Sequence, residues 1–284
     1  MESSGEINGQ PGTPANRNMQ RTLQIANIVV LVVTIIINYL SNTGIFNGNT
    51  MASVSASYQN YFTPAGYAFS IWGIIYAALT AFVIHQSKGL FNSRETPAVV
   101  MQIGWTFVVS CIANCLWVIA WLYDYTGLSV LIMLVILGSL IRIVMATRME
   151  MELISLKQIA LECWPFAIYL GWINVALIAN TAAYLTKIEW DGFGISAENW
   201  TIIMLIAAAA INIALIWTRN LRESAAIGIW GIVAVAVANW DVSQAIAYTA
   251  IAAAIVIFVV SGVHGYLNRG RHFVIDNPKY SWLT

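Results

Sequence analysis

Charge is scarce in this chain. Of 284 residues only 9% are charged, and the 13 basic and 13 acidic side chains cancel. An ordinary soluble domain carries about a quarter charged residues, and a globule this poor in charge could not cover its own surface. The missing basic excess argues against nucleic-acid binding, which needs cations to neutralise phosphates. Cysteine is nearly absent as well, with three in the chain, which excludes a disulfide scaffold. Proline is sparse at six residues, and extended disorder is excluded for the bulk of the chain because disorder needs low hydrophobicity and high charge. What is abundant is apolar surface: 59% of residues are hydrophobic and the mean hydropathy is +0.72. The fold class that follows is all-α, a polytopic transmembrane helix bundle.

A helix needs about 20 apolar residues to cross a hydrocarbon core of about 30 Å. Eight runs qualify: Leu23–Leu40, Tyr67–His85, Met101–Tyr123, Leu128–Ala146, Cys163–Thr186, Trp200–Thr218, Ser224–Asn239 and Gln244–Tyr266, the seventh being the shortest. With the N-terminus in the cytoplasm, the inner segments carry Arg17, Arg21, Lys88, Arg94, Arg142, Arg148, Lys157, Arg219, Arg222, Arg269, Arg271 and Lys279, while the outer segments carry only Lys187. The positive-inside rule therefore puts both termini in the cytoplasm. Residues 1–20, rich in Gly, Ser, Asn and Pro, read as a disordered tail and not as a signal peptide. Residues 268–284 read as a cytoplasmic C-terminal tail. The first outer loop, Ser41–Gly66, contains no charged residue. It is either a polar loop at the headgroups or a lid over a pocket that opens outward.

Candidate chemistry is thin. No charged residue falls at the bilayer centre, where an ion-coupled transporter would usually keep one. Arg142 and Glu162 lie at the cytoplasmic ends of helices four and five and are expected to pair, or Arg142 to snorkel. His85, His264 and His272 lack the spacing of a metal site, and Cys111 and Cys115, four apart on helix three, read as small packing residues. No catalytic constellation and no metal site is visible, and no cofactor is required.

The twelve tryptophans are more informative. Trp121, Trp190, Trp200 and Trp240 fall at the outer boundary and Trp164 and Trp217 at the inner one, as an interfacial belt would have them. Trp72, Trp117 and Trp172 fall inside their helices. Helical spacing sets Phe69, Trp72 and Tyr76 on one stripe of helix two, Asn114, Trp117 and Trp121 on one stripe of helix three, and Trp172, Ala176, Ala179, Asn180 and Ala183 on one face of helix five. Asparagines buried in a membrane must find partners. Packing with interhelical hydrogen bonds and a pocket for a flat apolar ligand both fit this pattern.

These residues also carry a resemblance. The run Pro64-Ala-Gly-Tyr67-Ala-Phe69-Ser-Ile-Trp72-Gly-Ile-Ile-Tyr76 resembles the signature of the TspO/MBR family of tryptophan-rich sensory or translocator proteins. Asn114-Cys-Leu-Trp117 is similar to that family's Asn-x-x-Trp, and Pro165-Phe166 followed by Trp172 and Asn180 to its fifth helix. Ser70 and Ser110 depart from the family pattern, and the gap from Pro165 to Trp172 is longer than usual. The resemblance covers residues 23–186. It implies a five-helix bundle over residues 21–186; the chain departs from the family by continuing into three additional helices in 187–267. It also implies a pocket under the first loop for porphyrins, sterols or aromatic drug-like molecules, with porphyrin or haem as ligand.

The expected ligand-binding residues are thus Phe69, Trp72, Tyr76, Asn114, Trp117, Trp121, Trp172 and Asn180. The expected partners are a hydrophobic small molecule and the lipid bilayer, with the Ala-rich last helices as a candidate homodimer surface. A bacterial cytoplasmic membrane is the expected location. A carrier for a small apolar solute and a structural membrane subunit remain as alternatives, and enzymatic activity is left open.

Overall fold

The computed structural model describes residues 14–91, 96–149 and 155–268. Most of the expected N-terminal tail, Arg94, and the C-terminal tail from residue 269, with its basic residues, His272 and Trp282, lie outside the described residues. Eight principal helices take the places of the eight apolar runs. They are α1 (Pro14–Leu40), α2 (Ile71–Gln86), α3 (Thr106–Leu122), α4 (Thr126–Ala146), α5 (Trp164–Lys187), α6 (Ala197–Arg219), α7 (Arg222–Ala238) and α8 (Gln244–Leu267). Six helical stretches are long and apolar enough to cross a membrane by length and composition. The other two, α3 and α7, have 17 residues each. At 1.5 Å per residue they span about 25 Å, the short end of the transmembrane range. The protein is a multi-pass helical membrane bundle.

Local chemistry explains where the helices begin and break. Helix α1 starts at Pro14, so residues 14–20 are helical where a disordered tail was expected. The third apolar run does not form one uninterrupted helix. A short helix, Val99–Ile103, stops at Gly104, whose φ of 55° and ψ of −137° no side-chain-bearing residue adopts readily, and α3 starts afresh at Thr106. Helix α5 is entered through a π-turn, Ile159–Cys163, immediately before Pro165. Proline has no N–H to donate to the preceding turn, which suits a locally widened ladder. Ser196 and Ser243 cap α6 and α8 through the amides of Asn199 and Ile246. Helix α6 ends on Asn220 in the left-handed conformation, φ 56°.

Two apolar cores meet at α5. One gathers α1 to α5 around Phe82, Phe107, Phe166 and Trp172. The other gathers α6 to α8 with Val175 of α5 and, from the first loop, Phe62. The joint is close because glycine lets backbones approach. A Cβ at Gly171 of α5 would lie 2.3 Å from the Ser224 carbonyl oxygen of α7, and one at Gly231 of α7 would lie 2.7 Å from a Val175 methyl. Outward-facing surfaces carry exposed Val29, Val32 and Ile36 on α1, Leu131, Leu134 and Val135 on α4, and Ile255, Phe258 and Val259 on α8. Exposed aliphatic rows of this kind are what a lipid solvent tolerates and water does not.

The expected Arg142–Glu162 pair does not form. Glu162 instead meets His85 of α2 at 2.7 Å. Arg142 is exposed, and its Nε donates to the Thr106 hydroxyl at 3.1 Å. The π-turn that displaces Glu162 from the regular α5 register accompanies the change of partner.

Candidate functional site

The first loop folds back over the end of the bundle. A capping box between Thr50 and Ser53 starts a short helix, Met51–Ser57, and a turn at Asn60–Thr63 sends the chain down through Pro64 into the 3-10 turn Gly66–Ser70 that opens α2. Several elements hold this loop. Asn49 Nδ2 donates to the Leu122 carbonyl at 2.9 Å, and the Trp121 indole N–H to the Met51 carbonyl at 3.4 Å. The Tyr58 hydroxyl donates to Asp124 Oδ2 at 2.9 Å, and the same carboxylate meets Lys187 Nζ at 2.7 Å. Partial burial, and then the neighbouring Asp124 carboxylate, push the Tyr58 phenol pKa up.

Helix α7 and the residue that ends it, Asn239, hold the loop from the other side. Asn239 Nδ2 donates to the Tyr61 carbonyl at 2.8 Å, the Ala65 amide to the Ala234 carbonyl at 3.0 Å, and the Trp230 indole to the Ala68 carbonyl at 3.3 Å.

Beneath the loop lie the aromatic residues of α2, α3 and α5. Trp72 is the hub. Its ring stacks on Tyr76, with centroids 5.6 Å apart and an interplanar angle of 17°. It tilts against Trp117 at 5.7 Å and meets Tyr169 and Trp172 edge-on at 5.8 and 6.3 Å. Phe69 closes the group against Trp172 at 6.2 Å. Edge-to-face and offset arrangements are those the ring quadrupoles favour.

Two asparagines tie the walls together. Asn114, fully buried, accepts from Asn38 Nδ2 of α1 at 2.7 Å and donates to the Tyr169 hydroxyl at 2.9 Å. Asn180 accepts the Trp117 indole N–H at 2.8 Å and donates to the Ser129 hydroxyl of α4 at 2.8 Å. Each amide thereby links three helices, which satisfies groups that lipid could not.

All eight expected residues come together around this place. Phe69, Trp72, Trp117, Trp121, Trp172 and Asn180 line one cavity, roofed by Met51, Ser55, Thr63 and Pro64 of the loop. Tyr76 and Asn114 sit one layer deeper, against Trp72 and Tyr169. Trp121 is 6% exposed and belongs to this wall, not to an interfacial belt. Trp217 and Trp240 are more than half exposed, as a belt requires.

Sequence reasoning missed Tyr169, Asn38 and Ser129. Tyr169 stands three residues before Trp172, on the same helix face, and that spacing was the available signal. Asn38 and Ser129 are small polar residues in apolar runs, and only the tertiary fold shows what they face.

The cavity is tight, about 40 Å3. Sites for drug-sized ligands run to about 300–1,000 Å3. This conformation is therefore closed. One polar group in its wall is unanswered: the Trp172 indole N–H is buried and has no hydrogen-bond partner among the described residues. Such groups are rare in folded proteins because an unmade buried bond costs about 1–3 kcal/mol.

The architecture defines a class: an integral membrane bundle whose lidded, tryptophan-walled interior lies between helices. The family comparison makes the assignment specific. The model of the family described as TSPO-like protein matches residues 24–263, and the chain belongs to that family. The match runs through α6 and α7 and nearly all of α8, so the last three helices fall within the family description. Neither the curated proteins nor the solved structures yielded a match to this chain.

Proposed function

We propose that this TSPO-like membrane protein binds a flat, largely apolar ligand with a hydrogen-bond acceptor among Phe69, Trp72, Trp117, Trp121, Trp172 and Asn180, beneath the first loop. The observation that carries the reading is the unanswered Trp172 N–H in the wall of a lidded aromatic cavity. An acceptor on the ligand would satisfy it, and the ring faces would take the flat body. A porphyrin, which pairs a planar macrocycle with carboxylates, is the first candidate, and handling or sensing such a molecule is the proposed role. The closed volume requires that the Ser41–Gly66 loop and the ring of Trp72 move for the ligand to enter. The charge asymmetry of the loops orients the lid to the outside, with both termini in the cytoplasm; a bacterial cytoplasmic membrane is the proposed setting.

The test is a protoporphyrin titration of the protein in nanodiscs, read by tryptophan fluorescence with inner-filter correction, alongside Trp172→Phe and Trp72→Ala. Saturable quenching, weakened in both variants while they stay folded, supports the site. No saturable change in folded protein, or quenching indifferent to both substitutions, overturns it. A carrier of apolar solutes would instead be revealed by flux in proteoliposomes.

A further inference from the structure

A second cavity lies outside the aromatic cluster and the role proposed for it. Helix α7 packs against both α5 and α6 and holds them apart, while α6 gives its other face to α8. Its glycines make it a thin wedge: a Cβ at Gly228 would collide with the Asn212 amide of α6 at 2.3 Å, just as one at Gly171 would collide with α7. At the loop end, next to the connecting segment 188–196, a cleft of about 830 Å3 lies between α5 and α6. That is within the range of sites that hold a whole small molecule.

Its two walls are helical stripes, Leu177, Thr181 and Leu185 on α5 facing Trp200 and Met204 on α6. All three threonine hydroxyls that line it are turned to their own helix, Thr181 to the Leu177 carbonyl, Thr186 to the Ala182 carbonyl and Thr201 to the Ala197 carbonyl, which leaves the walls largely apolar.

The mouth differs from the walls. Helix α5 ends with the Trp190 amide on the Leu185 carbonyl and the Glu189 amide on that of Thr186, which puts Glu189 in the left-handed position, φ 51°, usually filled by glycine. Glu189 and Asp191 both border the cleft and are exposed, with the rings of Trp190 and Trp200 beside them, 5.3 Å apart. Asp191 Oδ1 also accepts the Phe193 amide at 3.1 Å. Lys187, two residues before Glu189, is engaged by Asp124, and Glu198 is bonded to Ser243.

We infer that this cleft is a second binding site, for an amphiphile with an apolar body and a protonated amine head. Charge complementarity selects the head: two carboxylates, no cation among the described residues that line the cleft, and indole faces that attract ammonium groups. The apolar stripes take the body.

The experiment uses the full-length protein in phosphatidylcholine bilayers with three chain-labelled spin probes of equal length: a stearylamine, a stearic acid and a phosphatidylcholine. Electron paramagnetic resonance reads the motionally restricted fraction of each. Exposed charge pairs are worth about 0.2–1 kcal/mol, so the amine should be preferred over phosphatidylcholine by about 1.5- to 5-fold at low salt. High salt should erode that preference. The double variant E189Q/D191N should abolish it, and A182W, which fills the cleft from α5, should reduce the restricted amine itself. If A182W does not fold, the isosteric double variant still decides. Equal restriction of all three probes would show a groove that holds lipid chains without selection. Preference for the acid, or an amine preference untouched by E189Q/D191N, would likewise overturn the inference.

Discussion

Trp172→Phe and Trp117→Phe form a matched pair whose comparison tests the candidate site directly. Both remove an indole from the same aromatic cluster, both residues are almost fully buried, and both replacements lose a similar amount of ring surface. That shared loss cancels when the two variants are compared. What remains is the N–H. In Trp117 it bonds Asn180 Oδ1 at 2.8 Å, and its loss costs about 0.5–1.5 kcal/mol. In Trp172 it bonds nothing among the described residues, and removing an unsatisfied buried donor relieves a penalty of about 1–3 kcal/mol. Trp117→Phe should therefore be less stable than Trp172→Phe by about 1.5–4.5 kcal/mol in equilibrium unfolding of the detergent-solubilised protein. Ligand affinity should show the reverse sensitivity. A neutral acceptor on Trp172 would make Trp172→Phe weaken binding by about 2- to 12-fold, and a charged one by about 10- to 150-fold. Equal destabilisation by the two substitutions would refute the reasoning, because it would mean that the Trp172 N–H is already satisfied without ligand.

Other predictions address the lid, the helix joint and the far end of the bundle. Gly171→Ala places a methyl 2.3 Å from the Ser224 carbonyl, so α5 and α7 must separate, and thermal unfolding should report a loss of about 1–3 kcal/mol. Asn239→Ala removes the amide bond to the Tyr61 carbonyl; a cysteine placed at Ser55 should then react faster with a water-soluble maleimide than the same cysteine in an otherwise unchanged chain. The raised Tyr58 pKa means that its neutral, donating form is favoured in the folded loop. The contribution of its bond to Asp124 should be complete below the ordinary tyrosine pKa of about 10 and fade as pH rises through the higher folded value. An ultraviolet tyrosinate titration should accordingly lose, in Tyr58→Phe, one component that ionises above the ordinary tyrosine range. Glu162→Ala should destabilise by about 1–3 kcal/mol through loss of the largely buried His85 contact, whereas Arg142→Gln should leave unfolding nearly unchanged, and equal effects would restore the Arg142–Glu162 pairing.

The sequence alone determined the membrane setting, because 59% apolar composition with 9% charge leaves no other stable solvent partner for the surface. It also determined the eight helices, since spans of about 20 apolar residues can only be satisfied as helices, and it placed the aromatic stripes of Trp72, Trp117 and Trp172, since helical period is a local property. Contacts between helices were another matter. The break at Gly104 depends on a single backbone conformation inside an otherwise continuous apolar run. The exchange of Arg142 for His85 as the partner of Glu162 follows from a π-turn and from how α2 lies against α5. The role of Phe62, Asn239 and Trp230 in seating the first loop on α7 joins residues more than 150 positions apart. No periodicity encodes such a pairing, because side chains meet across helices only once packing has chosen the crossing. The same packing closed the aromatic cavity to about 40 Å3 and opened the cleft between α5 and α6 to about 830 Å3: volumes between helices are set by which glycines let backbones touch and which helix stands as a wedge.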